Sequence, residues 1–522
     1  MDAKSLLESL DFSKENIRRQ ALIYSFSNIL TLSMLSGFGI KCDMTSRALE
    51  GYIEELNKEF NINTDESEES NELQDLLCAI DPSLEPEKEN YLSLDKNLKF
   101  IKNLNPIKAI YSKASLVPSS DNGFEKNTNF ALDLANNKLE KQLNPKNQGL
   151  LILNELNLSK LLYDKSLVKR NQNTTFEEKL IAMILLELAI NQAIFCHEHL
   201  RNNQGLFVEK VNLSCNLNEI DLDDNKAEID WEDQVYMISA YALLYETLSD
   251  SKYEKYFDHN KADIFKGYAF DLLSILENHE YEILELETAS LSSSTSSIIE
   301  ALNILDDDRK HLSFTLSLCD ELYAREKRDG FMLSHRHTKE TASLASHFKS
   351  IEALTRGFEF TNFNMFLNAS EEIYKNLNST WDDNLGLFNL DGSDSIRYSS
   401  KSISYVLKSL NELSKTTSSS NLKENIKNQL TDFFDSSING AGLQSPPPSL
   451  RMDMNMFRSS EPVSSVIEDI IEDKKVYIIE KGFEINKSDN QINKYSNEFS
   501  SEHVLFASDA MLSLALEDSS KS

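Results

Sequence analysis

Asn378-Ser379-Thr380-Trp381-Asp382-Asp383-Asn384-Leu385-Gly386-Leu387-Phe388 is the stretch on which the fold turns. It follows an amphipathic segment, Phe363–Leu377, that ends in polar residues. Its last four residues have two counterparts, Gln204-Gly205-Leu206-Phe207 and Asp329-Gly330-Phe331-Met332, each behind a similar segment. One phrase recurring behind one kind of helix reads as a helical hairpin used repeatedly. The spacing agrees: Gly386 follows Gly330 by 56 residues (386 − 330), and Gly442 follows Gly386 by 56 (442 − 386). Gly205 precedes Gly330 by 125 (330 − 205), about two units. A unit of roughly 60 residues holds two helices and their loops, an αα-hairpin. Glycine suits the phrase because it lets a helix end in a left-handed conformation. The Leu-Phe or Phe-Met pair after it turns apolar side chains back onto the hairpin.

Composition supports helices. The chain has 522 residues, 40% of them hydrophobic, with only 14 glycines and 9 prolines. Many-stranded folds need more turn residues than that. The 53 basic residues face 85 acidic ones, a net charge of −32. That argues against non-specific binding to nucleic acid or anionic lipid, which needs clustered positive charge. A well-solvated surface is the plain reading; a salty habitat or a cationic partner is the alternative. Cys42, Cys78, Cys196, Cys215 and Cys319 form no CxxC and no zinc spacing, so they read as buried thiols.

Residues 1–42 read as a candidate signal or anchor segment. Arg18-Arg19 precedes Ala21–Ile40, which carries no charge, and the pattern resembles a twin-arginine export signal. Ile40-Lys41-Cys42 departs from a lipobox, and the stretch is too polar for a good membrane span. The competing reading is a buried helix of a cytoplasmic protein. Residues 43–91 hold a helix and an acidic linker, NINTDESEESN at Asn61–Asn71. Residues 92–522 form the main domain. Thr175 and Glu178 make a capping box. Helices are expected at Leu180–Phe195, Trp231–Leu248, Ala262–Leu276, Ser297–Leu305, Leu312–Lys327, Glu340–Phe358, Phe363–Leu377, Ile396–Leu413, Leu422–Phe434 and His503–Leu516. Lys475–Ile479 and Phe483–Ile485, around Gly482, read as a short strand pair near the C-terminus.

The run from Glu359 to Asn389, with its Trp-Asp and Gly-Leu-Phe, resembles the hairpin turns of six-hairpin glycosidase-like proteins. Leu318–Met332 is similar, and Glu198–Phe207 matches more loosely. The resemblance implies an all-α (α/α) toroid of repeated hairpins around a central cleft, over residues of about 150–517. It also implies a carbohydrate ligand, since many proteins of this fold are hydrolases, lyases or epimerases acting on sugars.

Glycoside cleavage needs two carboxyl groups, one of them protonated. The loop candidates are Asp329, Asp382, Asp383, Asp391 and Asp394, with Asp329, Asp382 and Asp383 foremost. Capping explains such residues equally well. His335-Arg336-His337, with Glu340 and His347 beyond, is the densest histidine group. His337 with Glu340 suits general acid–base work and His335 suits substrate binding; a metal site is the weaker functional alternative, and the plain reading is a solvated loop before a helix. Trp381 could stack on a sugar ring or cap the hairpin. His197-Glu198-His199 ends a helix, where histidine suits the dipole. Met452-Asp453-Met454-Asn455-Met456 could hold Cu(I) in an exported protein, or simply pack. The sequence has no phosphate-binding loop, GxSxG or cysteine-nucleophile signature, and implies no cofactor. Two functions compete: sugar recognition or cleavage in the cleft, and a non-catalytic scaffold for a partner protein. An open cleft with convergent carboxylates favours the first and a filled centre the second.

Overall fold

The computed structural model describes residues 14–35, 37–38, 46–59, 108–114, 139–164, 176–214, 220–224, 229–305, 310–326, 330–444, 478–488, 490–495 and 499–516. Asp329, the acidic run at 61–71, Cys42, Cys78, Cys215 and Met452–Met456 lie outside the described residues.

The helices, in chain order, are α1 Lys14–Leu35, α2 Ser46–Glu59, α3 Pro145–Asp164, α4 Phe176–His199, α5 Trp231–Ser249, α6 Asn260–Asn278, α7 Glu280–Leu284, α8 Thr288–Leu305, α9 Leu312–Ala324, α10 Leu344–Thr361, α11 Asn364–Asn378, α12 Ser400–Thr416, α13 Ser420–Phe434 and α14 Ser501–Ala515. Six of them, α3, α5, α8, α10, α12 and α14, form an inner ring in which each packs on the next and α14 closes on α3. One outer helix backs each: α4 behind α3, α6 behind α5, α9 behind α8, α11 behind α10, α13 behind α12 and α1 behind α14. The protein is an (α/α)6 toroid.

The sixth hairpin joins the two ends of the chain. Residues 18–35, read in the sequence as part of an export or anchor segment, supply its outer helix. Ile17, Ala21, Ile29 and Leu32 of α1 are buried. Asn28 accepts from the Ile479 N–H (3.0 Å) and donates to Gln444 (3.2 Å). Glu178–His199 within α4 is the one stretch among the described residues long and apolar enough to cross a membrane, and most of it is buried. A helix that is apolar all round needs cover on its outer side too. α2 supplies it, with Tyr52 donating to Glu187 (2.8 Å) and Glu59 paired with Lys179.

The four phrase glycines all have positive φ: Gly205 82°, Gly330 75°, Gly386 63° and Gly442 60°. The helix-capping role expected for them is not the one they play. Three sit several residues past the outer helix, in the turn of a small bridge: Arg201↔Phe207, Glu326↔Met332 and Asp382↔Leu387. Each bridge opens an outer-to-inner connection, so all lie at the end of the toroid where the inner helices begin. The short strands sit there too. The strand Gly482–Asn486 pairs with Gln491–Lys494 and Ser395–Ser399. Of the expected partner Lys475–Ile479, residues 475–477 lie outside the described residues, and Ile479 bridges Gln444. Ser395–Ser399 is strand rather than the start of a helix, because Ser399 caps α12 in a capping box with Ser402.

Close packing of the ring depends on Gly149. A Cβ there would lie 2.9 Å from the Tyr236 carbonyl carbon and oxygen on α5. Gly149→Ala is expected to destabilise the fold by about 1–3 kcal/mol through overpacking, despite the helix propensity that alanine adds. A thermal melt at or above the wild-type midpoint would show that α3 slides freely on α5.

Candidate functional site

The inner helices start at polar caps, and their first turns bring charge to the axis. Asp230 caps α5 and Ser343 caps α10, each through its side chain. Lys146, Glu232, Lys401 and Glu502 are the second residues of α3, α5, α12 and α14. Lys146 bonds Glu232 at 2.9 Å and lies 3.3 Å from Glu502, which also pairs with Lys401. Glu232 in turn reaches Lys349 of α10 at 3.4 Å. Side-chain exposure falls from 47% at Asp230 through 27% at Glu502 and 10% at Lys146 to 6% at Lys349. The charges therefore run inward from the rim as a graded set, the vestibule, with Lys349 as its most buried member.

Beyond Lys349 lies a chamber on the axis. Tyr236, Ser292, Ser293, Ser296, Ser297, Glu352, Ser404, Tyr405, Lys408, Phe506 and Asp509 line it with Lys349. Its volume is about 20 Å³, and about 380 Å³ when the space out to open solvent is counted. The narrow part holds about one water, not a sugar ring. The Tyr405 hydroxyl is buried and has no hydrogen-bond partner. Below, Lys408 bonds Asp509 (2.7 Å) and lies 3.6 Å from Glu352, while Arg356 joins Glu352 (3.2 Å) to Glu300 (2.7 Å).

Electrostatics sorts these groups. Burial would raise the Glu232 carboxyl, but Lys349, Lys146 and Lys401 outweigh it and hold Glu232 well below the usual carboxylate range. Burial works against the Lys146 cation, and Glu232, Glu502 and Asp230 overcome it. Lys349 goes the other way. Burial lowers it, Lys401 and Lys146 add to that, and Glu232 only partly compensates, so its pKa falls to about 8. A buried amine beside other cations is the arrangement that makes lysine reactive near neutral pH.

Trp381, Asp382, Asp383, His335, His337 and Glu340, singled out from sequence, lie on the outer-to-inner connections and are not among the residues lining the chamber. Trp381 packs edge-on against Phe388 (4.8 Å) in the turn hairpin. Asp382 accepts from the Asn384 N–H (3.1 Å) and sits 3.5 Å from Lys487; Asp383 is exposed. His335 bonds the Glu285 carbonyl (2.7 Å), His337 the Glu285 carboxylate (3.0 Å), and Arg336 bridges Glu285 and Glu321. With the buried Arg325, which donates to Leu284, Leu286 and Thr288, they clamp the loop before α10 to the loop before α8. Glu340 is exposed, and its carbonyl accepts from the Ser334 N–H (2.9 Å). His347 accepts from the Met332 N–H (3.0 Å). Asp391 and Asp394 are exposed. His197 does not act as a cation at its helix end: burial and Arg201 lower it to about 4, and it stacks on Tyr268 at 3.5 Å. Among the described residues no group of three or more His, Cys, Asp or Glu could hold a metal. Cys196 and Cys319 are buried thiols.

Six inner helices, each backed by an outer one, make the fold an (α/α)6 toroid. No family model matches the chain, and no curated protein sequence matches it. Among solved structures it is similar to a D-mannose isomerase, at 9% identity and a TM-score of 0.47, over 86% of this chain and 99% of that one. An unsaturated glucuronyl hydrolase specific for heparin is similar at 8% identity and a TM-score of 0.42, over 91% and 97%. The cellobiose 2-epimerase of Bacillus thermoamylovorans matches at 12% identity and a TM-score of 0.33, over 53% and 81%. These likenesses concern the backbone, and no chamber residue is carried over from them.

Proposed function

We propose that the axial chamber and its vestibule form a carbohydrate-processing site. The observation that carries this reading is the unpartnered Tyr405 hydroxyl, buried in a chamber otherwise lined by serines, a second tyrosine, ammonium groups and carboxylates. Such groups match sugar hydroxyls, which both donate and accept. For glycoside cleavage the carboxyl pair at hand is Glu352 and Asp509, which share Lys408. A sugar ring enters only if the Lys146–Glu502 and Lys146–Glu232 pairs part.

Tyr405→Phe tests the assignment. Losing a hydroxyl that bonds nothing is expected to leave the thermal midpoint unchanged or slightly raised. On a glycan array of the full chain, the same change is expected to weaken a binding hit about 10-fold, the worth of one good hydrogen bond at roughly 1.4 kcal/mol. A hit of unaltered strength in Tyr405→Phe would take the site away from the chamber.

The second reading, a non-catalytic scaffold binding a partner protein, is favoured by one observation, the closed narrow chamber plugged by paired charges. Silence across the array would move the assignment there. The export or anchor reading of residues 18–42 competes with the ring for α1, Lys14–Leu35, which packs on α14; fractionation of cells expressing the full chain with a C-terminal tag tests it through the size of the recovered protein.

A further inference from the structure

Lys349 is placed unlike the other lysines of the axis. Lys146 and Lys401 stand in the vestibule against Glu232 and Glu502, and Lys408 lies below against Asp509 and Glu352. Lys349 sits between these tiers. Its contacts are loose: Glu232 at 3.4 Å, the Ala289 carbonyl at 3.3 Å, and the face of the Tyr405 ring at 4.4 Å from its centre. The same Tyr405 carries the unpartnered hydroxyl, and the lining serines Ser292, Ser293 and Ser296 come from one face of α8.

We propose that Lys349 is a carbonyl-capturing amine, which condenses at the vestibule floor with the aldehyde of a small hydroxylated ligand. The proposal rests on the reading of the chamber as the functional site. The neutral amine adds to the carbonyl carbon and a C–N bond forms. The carbonyl oxygen then leaves as water, carrying one amine proton and one proton from solvent. The iminium that remains is cationic, and the Glu232 carboxylate, which Lys146 holds ionised, faces it. The Tyr405 hydroxyl is placed to donate to a ligand oxygen. Water entering the vestibule reverses the step by hydrolysis. Burial beside Lys146 and Lys401 keeps a usable share of the amine uncharged near neutral pH.

The test uses the full wild-type chain with glycolaldehyde, the smallest 2-hydroxy aldehyde, and cyanoborohydride to reduce any C=N bond formed. Peptide mass mapping then reads which lysines carry the two-carbon adduct. Lys349 is expected to be modified at least 10-fold faster at pH 7.5 than Lys252 and Lys255, which are more exposed. Its rate is expected to climb as pH rises through about 8, where the amine loses its proton. Lys349→Arg should remove this adduct and no other. Labelling confined to exposed lysines overturns the proposal, and the wild-type map decides it even if the variant does not fold. A glycan-array hit with Lys349 unlabelled would overturn the amine role and leave the sugar site standing. Selective labelling with a silent array would do the reverse.

Discussion

Residues 43–522 alone are expected to lose the cooperative fold of the full chain. The deletion takes α1, the outer helix of the sixth hairpin, and with it the buried side chains of Ile17, Tyr24, Ile29, Leu30 and Leu32. At about 1.5–3 kcal/mol for each large side chain, their loss is on the order of 10 kcal/mol. A domain's whole stability is typically about 5–15 kcal/mol. Polar groups are stranded as well. The Ile479 N–H loses Asn28, Gln444 loses its donor from Asn28, and Asn439 loses both Tyr24 and Gln20. Each buried orphan costs a further 1–3 kcal/mol or so. The apolar face of α14 that α1 covers is then open to aggregation. Circular dichroism melting and gel filtration of both chains decide the matter. A truncated chain that stays monomeric and melts in one step within a few degrees of the full chain would show that the ring closes without α1.

The ring was legible in sequence because its repeat lies in backbone turns. Gly330, Gly386 and Gly442 are evenly spaced, and their positive φ values show why glycine recurs there. Helix α8 was legible only in its second half. Its start, Thr288-Ala289-Ser290-Leu291-Ser292-Ser293-Ser294-Thr295-Ser296, lacks an apolar period and reads as loop, since serine competes for backbone hydrogen bonds. In the fold these hydroxyls serve neighbouring inner helices: Ser293 meets Tyr236 (3.0 Å), Ser292 meets Ser350 (2.9 Å), and Ser296 donates to Glu352 (3.0 Å). The vestibule was not legible because Lys146, Glu232, Lys349, Lys401 and Glu502 come from five helices far apart in the chain. The signal available was local. Lys349, Glu352 and Arg356 form a stripe of alternating charge on a helix otherwise rich in buried residues, which marks a polar face turned inward. The histidine group stood out as a cluster, yet its role depends on Glu285, some fifty residues earlier, and spacing within the cluster says nothing of that.

The seam that α1 closes contains a second large effect, and it depends on pH. Glu155 of α3 is fully buried there, accepting from Ser33 of α1 (2.7 Å) and Gln192 of α4 (3.3 Å) at one oxygen, while its other oxygen has no hydrogen-bond partner. Burial pushes its pKa up from 4.5 to about 8, with the two donors only partly offsetting. The folded protein therefore keeps a proton that the unfolded chain releases above pH 4.5 or so. Stability from this group is complete below that pH, falls as pH rises, and is lost once pH passes about 8. At about 1.4 kcal/mol per pKa unit the full swing is on the order of 5 kcal/mol. Glu155→Gln removes the titration while keeping size and one acceptor. At pH 5 the variant is expected to match the wild type or fall below it by about 1–3 kcal/mol, because the new amide N–H groups face the unpartnered side. By pH 9 the order should reverse, with the variant unfolding at the higher urea concentration. Other titrating groups are common to both proteins and cancel in the difference. Two urea midpoints that move in parallel from pH 5 to 9 would show that Glu155 is already ionised in the folded ring, and that the α1 seam carries a buried negative charge rather than a proton.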